Sequence, residues 1–195
     1  MSQTEYFKSR AARFLPWLAI VPVLALAILQ LRHQGRSWWC SCHQLFLWAG
    51  DIWSSHNSQH LLDPYTFTHV LHGFAFCWLL MLCLPRVSVS WRLALATLLE
   101  AVWEVFENTE FVIQRYREET AALGYYGDSV FNSVGDILAC MAGFLIAQRL
   151  GLKRSVLVFV ATEVVLLVWI RDSFLLEILM LIYPIDALKA WQMGG

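Results

Sequence analysis

Apolar residues dominate this chain in long runs, and polar loops separate the runs. The first run covers residues 14–31 and follows the basic residues Lys8, Arg10 and Arg13. A basic segment before an apolar run resembles a signal peptide. A run of about 18 residues, however, is long enough for a helix that spans the membrane and is retained. Residues 14–31 are therefore predicted to be a membrane anchor.

Later apolar runs predict further helices, at about 64–84, 91–108, 128–149 and 155–170. Asp63 followed by Pro64 is typical of a helix start. A last apolar segment, 174–191, is interrupted by polar residues and proline, and it either spans or lies partly in the membrane interface. We predict one all-α domain over residues 1–195, an integral membrane helical bundle of five to six transmembrane helices.

Two polar segments separate these runs. Residues 32–63 are rich in tryptophan, which is common at membrane interfaces, and Leu45–Trp48 is predicted as a short interfacial helix. Residues 109–127 are read as a charged connection between the third and fourth helices.

Composition supports the membrane interpretation. Hydrophobic residues make up 58% of the chain and charged residues 15%, against about 25% charged in soluble domains. A bilayer tolerates such a surface because lipid solvates the outside of the bundle. The net charge of −1 and the absence of a basic run argue against nucleic-acid binding. The lipid bilayer is the only partner that the sequence predicts.

Basic residues predict the orientation, because lysine and arginine favour cytoplasmic loops. If every run spans, the N-terminus, the loop at 85–92 and the loop at 149–154 fall on one side, and each carries two or three basic residues. That side is predicted to be cytoplasmic, in a bacterial inner membrane. Six spans would place both termini there.

Ionisable residues inside the spans are costly in lipid and usually mark function. The second, third and fourth helices carry them on one face each, namely His69 and His72; Glu100, Glu104 and Glu107; and Asp128, Asn132 and Asp136. All lie toward the helix ends predicted to be periplasmic. We therefore expect one shared polar site that opens to the periplasm.

Two histidines and several carboxylates suit one divalent metal ion such as Zn²⁺, Mn²⁺ or Fe. The predicted metal ligands are His69, His72, Glu104 and Asp128. Glu107 or Glu100 is the predicted catalytic base, and the remaining polar cluster comprises Asn108, Asn132 and Asp136. The predicted function is a metal-dependent membrane hydrolase or transferase acting on a lipid or envelope component.

Two alternatives stay open at this point. The same residues could form an ion or proton path, since such paths also use stacked carboxylates and histidines. They could equally form a structural network of buried polar groups in a non-catalytic membrane protein.

The polar loop carries further candidates. Cys40-Ser41-Cys42 is predicted to lie in an oxidising compartment, where it could bind metal or form a disulfide. Asn57-Ser58-Gln59-His60 could cover the site as a lid or be an ordinary loop.

Several motifs occur in a characteristic order: Ser58-Gln59-His60, Tyr65–His69 with His72-Gly73, Glu100, Trp103-Glu104, Glu107-Asn108, Tyr125–Ser129, Asn132-Ser133, Asp136, Ile170–Asp172, Tyr183-Pro184 and Ala190–Gln192. The chain resembles, over about residues 38–192, a family of small bacterial multi-pass membrane proteins found mainly in rhizobia and their relatives. It is the three-hundred-and-fourteenth in the series of uncharacterised protein families. The resemblance implies a membrane location and supplies no catalytic residues.

Overall fold

The computed structural model describes residues 3–122 and 124–194, with side chains from residue 14 onward. These residues form α1 (Gln3–His33), α2 (Thr66–Cys83), α3 (Val89–Glu107), α4 (Glu110–Glu119), α5 (Val130–Trp169), α6 (Phe174–Ile182) and α7 (Asp186–Gln192). The described residues contain no β-strand, and an isolated bridge joins Trp48 to Leu62. The prediction of an all-α fold is confirmed.

Three helices are long and apolar enough to cross a membrane, at Phe14–His33, Thr66–Cys83 and Val130–Trp169. This number is smaller than the five to six spans predicted. One reason is α3, which has 19 residues but also carries Arg92 and three glutamates. A second reason is that α5 counts as one helix, although it contains two apolar segments.

Gly151 divides α5 into two segments, because its φ of +70° and ψ of 169° are not helical. The segment before Gly151 packs near Gly73 of α2. The segment after it runs back along α2, since Ser155 contacts Trp78 near the far end and Asp172 contacts Tyr65 near the start. α5 is therefore a helical hairpin that turns at Gly151.

The last apolar segment forms two short helices. α6 has 9 residues and α7 has 7. At about 1.5 Å per residue, α6 is about 13 Å long, far less than the roughly 30 Å of a bilayer core. Of the two alternatives for residues 174–191, the structure therefore favours the one in which they do not span.

Two local expectations were wrong. Residues 110–119, interpreted as part of a charged connection, form α4, whose first turn is capped by the Thr109 hydroxyl accepting from Val112 N–H. Residues 45–48 form no helix. Phe46 and Ala49 instead bond to Leu61 and Leu62 along the same loop, which satisfies their backbone groups without helical turns.

α2 and α5 approach closely through glycine. A Cβ atom on Gly73 would lie 2.1 Å from the Cys140 carbonyl oxygen, and one on Gly143 would lie 2.1 Å from the Val70 carbonyl oxygen. An apolar core that includes Leu71, Phe74 and Phe144 surrounds this contact. The close packing fixes the rotation of α2, and with it the direction in which His69 and His72 point.

Candidate functional site

His69 lies at the centre of a buried polar cluster. Its Nδ1 atom is 2.6 Å from Glu100 Oε1 and 3.2 Å from Glu104 Oε1. Its Nε2 atom is 4.0 Å from Asp136 Oδ2. α2, α3 and α5 thus each contribute to one cluster, as the sequence predicts.

His72 joins the same cluster through Glu100. The Nδ1 atom of His72 lies 2.8 Å from Glu100 Oε2 and 3.0 Å from Oε1. His69 and His72 are one helical turn apart on α2, so both rings reach the same side chain on α3. A carboxylate on Nδ1 of each ring fixes the ring orientation and leaves each Nε2 atom to face another ligand.

The possible ligand atoms form three overlapping groups, each within 4.8 Å. They are His69, His72 and Glu100; His69, Glu104 and Asp136; and Glu104, Glu107 and Asp128. His69 and Glu104 each belong to two groups. The predicted set of His69, His72, Glu104 and Asp128 is therefore spread over adjoining groups and does not surround one point.

Asp128 and Asn108 form a tight clamp. The Asn108 side-chain amide donates to Asp128 Oδ2 at 2.7 Å, and Asp128 N–H donates back to Asn108 Oδ1 at 2.7 Å. Tyr125 donates to the same carboxylate at 3.0 Å. The clamp joins the end of α3 to the start of α5. Burial raises the pKa of Asp128, and the bonds from Asn108 and Tyr125 oppose that rise.

Asn132 bonds to the loop between α1 and α2. Its amide donates to the His60 carbonyl oxygen at 2.9 Å and to Asp63 Oδ2 at 3.4 Å. Asp63 in turn accepts from the Tyr65 and Thr66 N–H groups in the turn before α2. The helix begins two residues later than Asp63-Pro64 predicts, with Tyr65 at its N-cap. Burial raises the pKa of Asp63 to about 6.

Several carboxylate oxygens in the cluster accept no hydrogen bond. They are both oxygens of Glu104, Oδ1 of Asp136 and Oε2 of Glu107, and all four atoms are buried. His69 Nδ1 lies 3.2 Å from Glu104 Oε1 but is paired with the closer Glu100. A buried carboxylate without a partner is costly. Either a cation or a proton must compensate these groups.

A cavity of about 380 Å³ opens beside the cluster. Its polar wall includes His69, His72 and Asp136, and its apolar wall includes Trp103 and Phe174. Glu107 and Asp128 also line it, whereas Glu100 and Glu104 lie behind the histidines. A cavity of this size and mixed lining is typical of a small-molecule site.

Asp172 lies at the cavity rim, in the connection between α5 and α6. It accepts from Ser173 N–H at 2.9 Å and from the Tyr65 hydroxyl at 3.4 Å. Burial raises the pKa of Asp172 to about 7. The hydrogen bonds from Ser173 and Tyr65 act to lower this pKa, and the negative charge of Glu163 acts to raise it. Asp172 belongs to the Ile170–Asp172 motif, but it was not among the predicted site residues, and its place in that motif is the signal that could have revealed it.

The polar loop covers part of the cavity. Asn57, Ser58 and Gln59 line it, which agrees with the lid alternative. Gln59 donates to the Gly127 carbonyl oxygen at 2.9 Å and so attaches the loop to the start of α5.

The loop cysteines are free thiols and lie beside two histidines. Cys40, Cys42, His56 and His60 have ligand atoms within 4.8 Å of one another. His56 was missed by the sequence analysis. The spacing Cys-x-Cys followed by His-x₃-His could have revealed it, because close pairs of this kind are common in zinc sites.

Comparison with known proteins gives one family. The family described as "Protein of unknown function (DUF2585)" matches residues 31–194. A UPF0314 protein of Paracoccus denitrificans is 46% identical over 180 residues, which are 92% of this chain and 93% of the relative. A UPF0314 protein of Rhizobium meliloti is 47% identical over 185 residues, 95% of this chain and 93% of the relative. One of Sinorhizobium fredii is 48% identical over 179 residues, 91% of each chain. No solved structure matches. The resemblance inferred from the motifs is thus confirmed.

Proposed function

The chain belongs to a family of proteins of unknown function, UPF0314, so we propose a function from its geometry. We propose that it is a multi-pass inner-membrane protein that holds a divalent metal ion in the His/Glu/Asp cluster. With that ion it would hydrolyse, or transfer a group on, a lipid or other envelope component.

The observation that carries this proposal is the excess of unpaired negative charge. Four carboxylate oxygens of Glu104, Glu107 and Asp136 are buried and accept no hydrogen bond. No lysine or arginine is among the described residues that line the cavity. The two histidines cannot balance five carboxylates. A divalent ion supplies the missing charge, and mixed imidazole and carboxylate donors suit zinc, iron or manganese.

His69, Glu104 and Asp136 form the best ligand group for this ion. The 4.0 Å between His69 Nε2 and Asp136 Oδ2 exceeds the separation of about 3.4 Å that bonds of about 2.0–2.2 Å give in a tetrahedral site, so we expect the two atoms to approach by about half an ångström when the ion binds. Glu100 bonds to Nδ1 of both histidines, so we assign it as a positioning residue. Glu107 remains the candidate base, because it lines the cavity and has an unpaired oxygen.

Metal ions of this class, when bound, lower the pKa of a coordinated water and polarise carbonyl or phosphoryl groups. The protein's own residues contribute position and a proton acceptor. The Asn108–Asp128 clamp holds α3 against α5, and Glu107 faces the space that a substrate would fill. Trp103 and Phe174 offer an apolar wall to a hydrocarbon chain.

The surface supports a membrane location. Val160, Val164 and Val168 leave one face of the second segment of α5 exposed, Val168 by 81%. Exposed apolar faces of this kind are uncommon in soluble monomers. Exposed tryptophans lie in the loop, at Trp38, Trp39, Trp48 and Trp53, and at the end of α5, at Trp169. Of these, Trp53 lines the cavity. Tryptophan favours the membrane interface, which supports a cavity at that level.

The apolar core argues against the ion-path alternative. Leu71, Phe74 and Phe144 are fully or almost fully buried in an apolar core and do not line the cavity. A path through the protein would need polar groups or water there. The arrangement therefore favours a site reached from one side.

Metal analysis of the full chain, purified in detergent without chelator, tests the proposal. His69→Ala/His72→Ala should lower the divalent metal content by about one ion per chain relative to wild type. The exposed His33 provides the control His33→Ala, which should keep the wild-type content. Wild-type protein that is folded and complements a deletion strain without any metal in this cluster would overturn the proposal.

A further inference from the structure

The polar loop contains a second set of metal donors, separate from the His/Glu/Asp cluster. We propose that Cys40, Cys42, His56 and His60 form a structural zinc site that holds this loop over the cavity. Two thiolates and two imidazoles make a complete tetrahedral ligand set for Zn²⁺. Their ligand atoms already lie within 4.8 Å of one another.

The distances fit such a tetrahedron. Zn–N bonds of about 2.0–2.1 Å and Zn–S bonds of about 2.3 Å place two nitrogens about 3.4 Å apart, and a nitrogen and a sulfur about 3.6 Å apart. In the structure, His56 Nδ1 lies 3.1 Å from His60 Nε2 and 3.5 Å from Cys40 Sγ. Both separations are within a few tenths of an ångström of the edges of the tetrahedron.

The surrounding backbone supports the thiolate form of Cys40. The Cys42 N–H donates to Cys40 Sγ at 3.3 Å. A donor aimed at sulfur stabilises negative charge there. Cys40 is 2% exposed and His60 is fully buried, so two of the four donors are held in the interior, while Cys42 and His56 close the site from the partly exposed side.

The fold holds His60 in place independently of any ion. Its carbonyl oxygen accepts from Asn132 on α5. Two contacts must change on binding. The Cys42 thiol donates to the Gln44 carbonyl oxygen at 3.6 Å, and this bond is lost when Cys42 becomes a thiolate ligand. Nε2 ligation places the imidazole proton on Nδ1, and Phe46 N–H now donates to that atom at 3.3 Å. We therefore expect the backbone at Phe46 to move when zinc binds.

The position of the site explains its use. The described loop between α1 and α2 contains no helix, and the zinc ligands come from two of its turns, at 40–42 and 56–60. Ser58 and Gln59 lie between His56 and His60 in sequence and line the cavity. An ion joining the two turns would fix the cavity wall without taking part in chemistry, since four protein ligands leave no open position.

Zinc content of the full chain in detergent tests this site. Cys42→Ser and His56→Gln should each lower zinc by about one ion per chain. The controls Cys83→Ser and His43→Gln change exposed residues outside the ligand set and should keep the zinc. His69→Ala/His72→Ala should also keep this ion, so failure of the loop site and failure of the proposed function give different results.

Two measurements on the wild-type protein test the site even if a variant does not fold. Cobalt added to the zinc-free wild-type chain should give an absorption band from thiolate ligation. Alkylation should label Cys83 at once, but Cys40 and Cys42 only after a chelator is added. Wild-type protein without zinc or a cobalt band, retention of zinc in Cys42→Ser, or a native Cys40–Cys42 disulfide would each overturn the proposal.

Discussion

His69 on α2 and Glu100 on α3 are joined by a contact of 2.6 Å between Nδ1 and Oε1, and Glu100 is fully buried. The same carboxylate reaches Nδ1 of His72 at 2.8 Å. One glutamate thus orients two histidine rings on the neighbouring helix. This arrangement resembles the carboxylate–histidine pairs that support metal ligands, whose loss typically lowers metal affinity about 10–100-fold.

The first prediction follows from the unpaired oxygens of Glu104. Glu104→Gln removes a charge from a cluster of carboxylates and a ligand from the proposed metal site. We expect the variant to insert normally and to lose more than about 100-fold in metal affinity. The thermal stability of the metal-free protein should be unchanged or higher, because carboxylates repel one another. The measurements are thermal unfolding in detergent and metal titration.

The structural-network alternative gives a different result for the same variant. If the cluster only stabilises the fold, Glu104→Gln should lose stability by about 1–3 kcal/mol, and complementation of a deletion strain should decline in parallel. Glu110→Gln, at an exposed position on α4, is a matched control for the substitution itself.

The second prediction concerns topology. A reporter after Gly151 should be cytoplasmic, and one in the segment between Arg115 and Gly124 should be periplasmic. A C-terminal reporter should also be periplasmic, because α6 is too short to return the chain across the membrane. A cytoplasmic C-terminus with the other two as stated would show that residues 174–191 span after all.

The third prediction is a pH dependence at Asp172, whose pKa burial raises to about 7 from the usual 3.8. Between these values the folded protein keeps a proton that the unfolded chain has lost, so stability should fall as pH rises from about 4 to about 7. The effect is a few kcal/mol at most, since each pKa unit corresponds to about 1.4 kcal/mol.

Thermal unfolding at pH 5 and pH 8 tests this expectation. Asp172→Asn should remove part of the difference between the two pH values and should be relatively more stable at pH 8. Asp186→Asn, at an exposed position, should leave the difference unchanged. An Asp172→Asn protein with the full wild-type pH dependence would contradict the assignment.

The fourth prediction concerns the contact between α2 and α5. Gly73→Ala would place a methyl group 2.1 Å from the Cys140 carbonyl oxygen, and the backbones would have to separate. We expect a loss of about 1–3 kcal/mol in stability and weaker metal binding, because His72 is the adjacent residue. Gly124→Ala, where a Cβ meets nothing within 4 Å, is the control for expression and unfolding measurements.

The sequence by itself determined the all-helical class, the family, and which helices carry the cluster. Helical periodicity is local, so it places His69 with His72, and Glu100 with Glu104, on one face each. Hydropathy is local as well, and it located α2, α3 and the two segments of α5 to within a few residues. Pro184 also marks locally where 174–191 is interrupted, because proline disfavours the helical conformation of the residue before it, here Tyr183. The sequence could not show how the two short helices pack, for example that Arg115 donates to the Leu181 carbonyl oxygen.

Only the tertiary structure decided how the helices are rotated against one another and how the loop folds. The rotation puts Glu100 against both histidines and Asp128 against Asn108, and it depends on the glycine contacts between α2 and α5. The Cys40–His60 group arises in a loop without periodic pattern, where long-range bonds such as Asn132 to the His60 carbonyl oxygen determine the conformation. The spacing Cys-x-Cys followed by His-x₃-His can suggest a metal group, but such bonds join residues far apart in the chain, so only the tertiary structure shows that the four side chains meet.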